Sequence, residues 1–381
     1  MARLHYPPAA LPASTEQLRN DLRAFLDKEI AEGSFKPRCD TWLSMHDPVF
    51  SAKLGAAGFL GLAWSQEYGG HGRTALDRFV VVEELLAYGA PIAAHWVSDR
   101  QSGPSILKMG TEQAKRELIP AMVAGESFFS IGMSEPDAGS DLANIRCTAT
   151  KTEGGWLLNG TKVWTSQAHN NHFFIVLVRT QPQSEAGGKH RGMSQFVMSL
   201  RGPGVDIRPI RLLSGHHHFN EVVMTDVFVP EHFLLGTEGN GWEQVLGELA
   251  FERSGPERYL STYPLLVALI DAVGPNPSDE AAAQIGMLVS RLTALRRLCI
   301  AVAISLDSGG TPITEAALVK DMGTRLESEI GEVARQLVPP GRHSAFDELV
   351  ADAILSAPGY TLRGGTNEIL RGIVARALGV R

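Results

Sequence analysis

The segment Ile131-Gly-Met-Ser-Glu-Pro-Asp-Ala-Gly-Ser-Asp141 concentrates glycine, hydroxyl and carboxylate residues beside a short apolar run. Glycines let a backbone approach a phosphate or a planar ring closely, and free N–H groups with Ser134 and Ser140 supply donors. The segment therefore reads either as a cofactor cradle or as an ordinary loop. Two other groups invite a chemical reading and are set aside. His216, His217 and His218 have no cysteine or carboxylate at a supporting spacing, so no metal site is expected. They are expected on a loop surface just before a strand at Asn220 to Thr225. Glu83 and Glu84 are neighbours on a helix and point about 100° apart, so they cannot face one another as an acid/base pair. A solvated edge is expected for both.

Two further motifs accompany the loop: Trp156-Leu-Leu-Asn-Gly-Thr-Lys-Val-Trp-Thr-Ser166, read as a hairpin, and the tail Leu362-Arg-Gly-Gly-Thr-Asn-Glu-Ile-Leu-Arg371. Together the three resemble the acyl-CoA dehydrogenase family of flavoproteins, and the resemblance covers nearly the whole chain. It implies FAD bound between a β domain and a second helical domain, and α,β-dehydrogenation of an acyl-CoA thioester to the 2-enoyl-CoA. The α-proton passes to a carboxylate and the β-hydride to flavin N5. The resemblance also implies roles for single residues. Met133 and Ser134 become flavin neighbours, and Gly139 and Ser140 lie near the FAD pyrophosphate and the substrate. Trp164, Thr165 and Ser166 flank the isoalloxazine, Trp164 by packing and Ser166 by hydrogen bonding; the alternative, a tryptophan that fills the β core, is set aside on the strength of the surrounding motif. Thr366 and Glu368 fall near the dinucleotide, and Arg253 and Gly365 near the substrate.

The base is the informative position. Many family members carry the catalytic Glu immediately before the Gly-Thr of the tail, where this chain has Gly364. A second subgroup places it on the first long helix of the C-terminal domain, here Phe251-Glu-Arg253, which makes Glu252 the candidate. Val245, Leu249, Glu252 and Pro256 step by four, three and four, so Glu252 shares an apolar stripe, and burial would raise its pKa toward the range useful for accepting a proton from carbon. The plainer alternative pairs Glu252 with Arg253 or Arg258 and gives it no catalytic role. Gly364 keeps its backbone N–H, the implied donor to the thioester oxygen alongside a ribityl hydroxyl of FAD.

The Arg and Phe-Gly segment expected before the penultimate long helix is replaced by Gly274 to Gln284. Gln336-Leu-Val-Pro-Pro-Gly341 stands where a Gln-x-x-Gly-Gly segment is expected, and Glu368 where Gln is frequent. These departures sustain a second reading, a non-catalytic or half-site subunit of a mixed tetramer. An oxygen-using relative, an acyl-CoA oxidase or a flavin monooxygenase, is a third. The implied partners are an acyl-CoA substrate, an electron-transfer flavoprotein as acceptor, and further subunits in a homotetramer or mixed tetramer.

Positioning such a site requires several elements. Leu18, Leu22, Phe25, Leu26 and Ile30 recur at helical spacing after Ser14 and Gln17, which read as a capping box; Asp47-Pro48, Thr74 with Asp77, and Thr111 open three more helices. From about residue 126 the period becomes two, with Ile145, Cys147 and Ala149 alternating. Gly154-Gly155 and Asn159-Gly160 give hairpin signals around Trp156 to Leu158. Strands are expected at Phe173 to Arg179, Gln195 to Ser199, Val205 to Ile210 and Val222 to Val229. Helical seams return at Ile285 to Val302 and Met322 to Leu337. The fold class expected is α+β multidomain: an N-terminal helical domain over 1–125, a central β-barrel-like domain over 126–235 and a C-terminal four-helix bundle over 236–381, the family's own order.

Composition agrees with that picture. A chain of 381 residues exceeds one compact core, and 44% hydrophobic with 20% charged content is ordinary for a protein folded in water. A net charge of -7 argues against nucleic acid or an anionic membrane as the main partner. Cys39, Cys147 and Cys299 are scattered, which fits a reduced cytoplasm, and no export signal or membrane-length apolar run is expected.

Overall fold

The computed structural model describes residues 4, 6–252, 255–339, 341 and 344–380, with the side chains of 248–252 and 344 left out. The helices in chain order are α1 (Ser14–Ala31), α2 (Thr41–Ser44), α3 (Pro48–Ala56), α4 (Ala75–Ala87), α5 (Ala93–Val97), α6 (Gly103–Met109), α7 (Glu112–Val123), α8 (Gly241–Glu252), α9 (Tyr263–Val273), α10 (Asp279–Asp307), α11 (Ile313–Leu337), α12 (Ser344–Tyr360) and α13 (Asn367–Ala377). The strands are β1 (Phe129–Gly132), β2 (Thr148–Thr152), β3 (Gly155–Ser166), β4 (Phe173–Arg179), β5 (Met193–Ser199), β6 (Val205–Ile210), β7 (Phe219–Pro230) and β8 (Leu234–Leu235). Helices, then strands, then helices is the order the periodicities imply. Two compact units form: Met1–Trp42 with Arg73–Pro91 and Ala250–Arg381, and Leu43–Gly72 with Ile92–Leu249.

The first unit is helical. Thr74 caps α4 as expected, its hydroxyl accepting from the Asp77 amide at 3.1 Å while Asp77 accepts from the Thr74 amide at 3.1 Å. The box at Ser14 and Gln17 does not form. Ala13 is the cap position without a side-chain cap bond, and the Thr15 hydroxyl instead donates to the Pro12 carbonyl at 2.7 Å. Glu83 and Glu84 are not a solvated edge; they are 7% and 4% exposed. Arg296 of α10 donates twice to Glu83, at 2.6 and 2.8 Å, and Arg23 of α1 donates to Glu84 at 2.7 Å. Their charges are tolerated inside because cations on two other helices reach them, which adjacency in sequence does not reveal. On α10, Leu288, Leu295, Cys299 and Val302 are buried along the seam, and on α11 Leu326 and Ile330.

The second unit is built on an eight-stranded sheet in the order β6-β7-β3-β2-β4-β5-β8, with β1 parallel to β4. Its core includes Trp156, Leu158, Phe174, Val176, Phe196 and Val222 from the strands, and Ile106, Leu118 and Met122 from α6 and α7. Asn159-Gly160 makes no turn. β3 runs through it, with a register irregularity against β7 between Leu158 and Gly160. Gly160 has φ +129, and a Cβ there would sit 2.4 Å from Cys147 Sγ, so the glycine answers a close approach rather than a hairpin. Ile145 and Cys147 are buried but precede β2. No helix among the described residues is long and apolar enough to cross a membrane.

Candidate active site

The loop after β1 is held by a buried ion pair. Lys162 of β3 is fully buried, and its Nζ donates to Glu135 Oε1 at 2.8 Å and to the Met133 carbonyl at 3.0 Å. Glu135 also accepts from the Arg146 and Cys147 amides, at 2.6 and 3.0 Å. Burial opposes its charge, but Lys162, followed by the Arg146 amide and the Cys147 side chain, outweighs that and holds the carboxyl below its usual range. Backbone bonds between Glu135 and Ala138 close a tight turn, and the Val163 amide donates to the Ser134 carbonyl at 2.9 Å. This leaves Met133 and Ser134 half-buried and Gly139 and Ser140 exposed. Ala138 packs with Ile145, Leu177, Met193 and Val245 of α8, and Met133 leans on that cluster.

The end of β3 is unusual. Trp164 has φ +60 in a second irregularity against β7, between Lys162 and Thr165, and is 56% exposed. It does not fill the core; Trp156, 3% exposed, does. A bulky residue in left-handed backbone is strained, and such strain persists where the surroundings impose it. They do so here from behind: Asn220 Nδ2 donates to the Thr165 carbonyl at 3.1 Å and Ser130 Oγ to the Ser166 carbonyl at 2.7 Å. The Thr165 hydroxyl is buried and has no hydrogen-bond partner among the described residues. The histidine run is not all surface. His218 is 5% exposed, Asn220 Oδ1 accepts from His217 Nε2 at 2.7 Å, and the His217 ring stacks on His169 with centroids 4.0 Å apart. Burial, then the neighbouring His217, pushes His169 down to about 4. Among the described residues no group of three or more His, Cys, Asp or Glu is arranged to hold a metal.

In the first unit the tail forms a tight turn. Gly364 and Gly365 have φ +71 and +88, and both are half-buried. Arg363 makes a two-pronged bond to Asp40, at 2.9 and 2.6 Å, with its guanidinium 4.3 Å from the Trp42 ring and 4.9 Å from the Tyr360 ring. Lys320 of α11, fully buried, donates to the carbonyls of Gly365 at 2.9 Å and Thr361 at 3.2 Å, and to Asn367 Oδ1 at 2.7 Å. Thr366 caps α13 by accepting from the Ile369 amide, and Glu368 is exposed in its first turn. Nearby, Glu327 accepts from the Ser261 amide at 2.8 Å, and burial pushes its carboxyl up to about 7. Glu252 is the last residue of α8; its side chain lies outside the described residues, as does Arg253 altogether. Pro256 lies in a separate short turn, Pro256–Arg258, rather than on α8, so it does not continue the stripe.

Comparison with known proteins matches residues 12–126, 130–227 and 281–379 to the N-terminal, middle and C-terminal domains of acyl-CoA dehydrogenases. The chain belongs to the acyl-CoA dehydrogenase family. It is accordingly an FAD-dependent oxidoreductase acting on CH–CH bonds. Acyl-CoA dehydrogenase FadE26 of Mycobacterium tuberculosis is 32% identical, over 99% of this chain and 98% of its own. An acyl-CoA dehydrogenase structure from Geobacillus kaustophilus superposes with a TM-score of 0.86 at 26% identity, covering 98% of this chain and 100% of that one. The ChsE4-ChsE5 complex from Mycobacterium tuberculosis gives 0.80 at 26% identity, with 98% of each chain covered.

The second unit suits the family's flavin on its own evidence. An exposed indole beside a buried hydroxyl with no partner among the described residues, and two half-buried serines, combines a flat apolar face with edge donors, as a planar heteroaromatic ring requires. Sequence reasoning missed the residues that hold these groups. Glu135 and Lys162 both lie inside the glycine-bearing motifs, and a carboxylate in one with an ammonium in the other was the available signal. Lys320 gave none, because it meets Gly365 only through folding.

Proposed function

We propose that this chain removes the α-proton and β-hydride of an acyl-CoA thioester to give the 2-enoyl-CoA, with Glu252 as proton acceptor. It thereby falls in the subgroup that carries its base on the first helix of the C-terminal domain. FAD, when bound, supplies the hydride acceptor. Met133, Ser134, Trp164, Thr165 and Ser166 would hold its ring system, Gly139 and Ser140 its pyrophosphate side, and Thr366 and Glu368 would lie near the dinucleotide. Ser140, Arg253 and Gly365 would face the substrate. The Gly364 amide would donate to the thioester oxygen as it gains negative charge. An electron-transfer flavoprotein would take the electrons.

The observation that carries this reading is the tail turn, where the half-buried Gly364 brings no carboxylate. A proton acceptor must then come from another element, and α8 carries Glu252, seven residues after a buried Val245 that shares a cluster with Met133. Glu252→Gln is expected to give a yellow, FAD-loaded protein whose dye-linked turnover of acyl-CoA thioesters falls at least about a hundredfold. Near-normal turnover would remove Glu252 from the mechanism.

A second reading, a subunit of a mixed tetramer, is favoured by the sequence at Gly274 to Gln284 and Gln336 to Gly341, and by the likeness to the ChsE4-ChsE5 complex. The absorbance of the chain purified alone separates the two. About one flavin per chain supports the self-sufficient enzyme, and a colourless protein that takes flavin only with a related partner supports the mixed assembly.

A further inference from the structure

We propose that Arg258 is a positioning residue for the reaction, wedged behind Gly364 so that the tail turn presents its amide in one orientation. The inference rests on the role proposed above for that amide, but its packing basis is independent of it. A Cβ built on Gly364 would lie 2.8 Å from Nη2 of Arg258 and 3.1 Å from its guanidinium carbon. Arg258 therefore fills the space that any side chain at 364 would need.

Arg258 is itself fixed. It is 1% exposed and closes the short turn Pro256–Arg258. Its carbonyl presses on α11 at Gly323, where a Cβ would fall 2.1 Å from the Arg258 oxygen. Its guanidinium sits 5.3 Å from the Trp42 ring, which also stacks on Arg363. Arg363 and Lys320 hold the turn on either side, through Asp40 and through the Gly365 carbonyl. With Arg258 behind the Cα, three cations surround one two-glycine turn. That arrangement restricts Gly364, the residue type with the most backbone freedom to lose, and sets positive charge beside the amide. A carboxylate introduced at 364 would meet a guanidinium and be held ionised by it, with little tendency to accept a proton.

The test is a double-mutant cycle read by thermal unfolding and by steady-state kinetics on the FAD-loaded protein. Gly364→Ala is expected to lower Tm, and Arg258→Ala combined with Gly364→Ala to lose less than the sum of the two single changes, because the methyl enters space the guanidinium vacates. Additive losses would overturn the shared-space assignment whatever the activity. Arg258→Met, which keeps most of the volume, is expected to lower kcat at least about tenfold with KM and flavin content near wild type. Arg258→Lys is expected to recover part of the loss. Unchanged kcat in Arg258→Met would overturn the positioning role even if the Tm cycle shows coupling. A wild-type protein that turned over no acyl-CoA would instead overturn the functional reading and the positioning role with it, leaving the Tm cycle to decide the packing.

Discussion

Glu327 shows how a single residue couples this fold to pH. It is fully buried on α11 and its carboxyl is raised from 4.5 to about 7, chiefly by burial, with Arg363 and the Ser261 amide working in the opposite direction. A carboxyl that binds its proton more tightly folded than unfolded favours the folded state in acid. Stability is fully present below the unfolded value of 4.5 and is lost as pH rises through about 7. The full span corresponds to roughly 3 kcal/mol, because each tenfold change in proton affinity is worth about 1.4 kcal/mol. Glu327→Gln keeps the shape and removes the proton, so its Tm should be flatter than wild type between about pH 5 and 8. Parallel Tm profiles for the two proteins would show that Glu327 does not titrate in that window. Charge at this depth is a feature of the tail's surroundings generally: Asp40, Lys320, Arg258 and Glu327 are all 5% exposed or less.

β3 carries most of what the second unit contributes to the site. It supplies the core tryptophan, the Gly160 irregularity, the buried Lys162 and the strained Trp164 in twelve residues. Lys162 secures both ends of the arrangement, because Glu135 and the Met133 carbonyl depend on it. Lys162→Met leaves the Glu135 carboxylate without its ion partner in a buried place and should destabilise the protein by about 3–5 kcal/mol. Denaturant unfolding would measure it, and a loss below about 1 kcal/mol would mean that the amides of Arg146 and Cys147 suffice for Glu135. Only the start of this strand was legible in advance: the turn at Gly154-Gly155 and the run Trp156 to Leu158 follow from turn residues and alternation. The direction of Trp164 was not, because a register irregularity changes which face a side chain takes and no periodicity records it. Asn159-Gly160 misled for a related reason, since the glycine serves a contact with Cys147 that is distant in sequence. Glu83 and His218 were misread alike: burial of a charged or polar residue depends on partners that only folding supplies.

At the scale of the whole molecule, the chain is acidic and its proposed cofactor is an anion. The net charge is -7, and the segments that depart from the family pattern add carboxylates where the resemblance leads one to expect a cation or an amide. Asp279 and Glu280 begin α10, and Glu368 is exposed in the first turn of α13. Charges near a helix N-terminus favour the helix itself when negative, so these residues stabilise α10 and α13, and under the proposed reading, with Glu368 near the dinucleotide, they would repel its pyrophosphate. The repulsion is between exposed groups and is therefore screened by salt over a Debye length of about 10 Å at 0.1 M. Flavin fluorescence titration of the apoprotein should show FAD binding that tightens roughly two- to fivefold between low and moderate ionic strength, and Glu368→Gln should reduce that dependence. Basic contacts to the pyrophosphate would produce the reverse, a weakening with salt, as ion pairs do when screened. Binding that weakens with salt would show that the chain alone provides cationic contacts to the cofactor that outweigh its own negative charge.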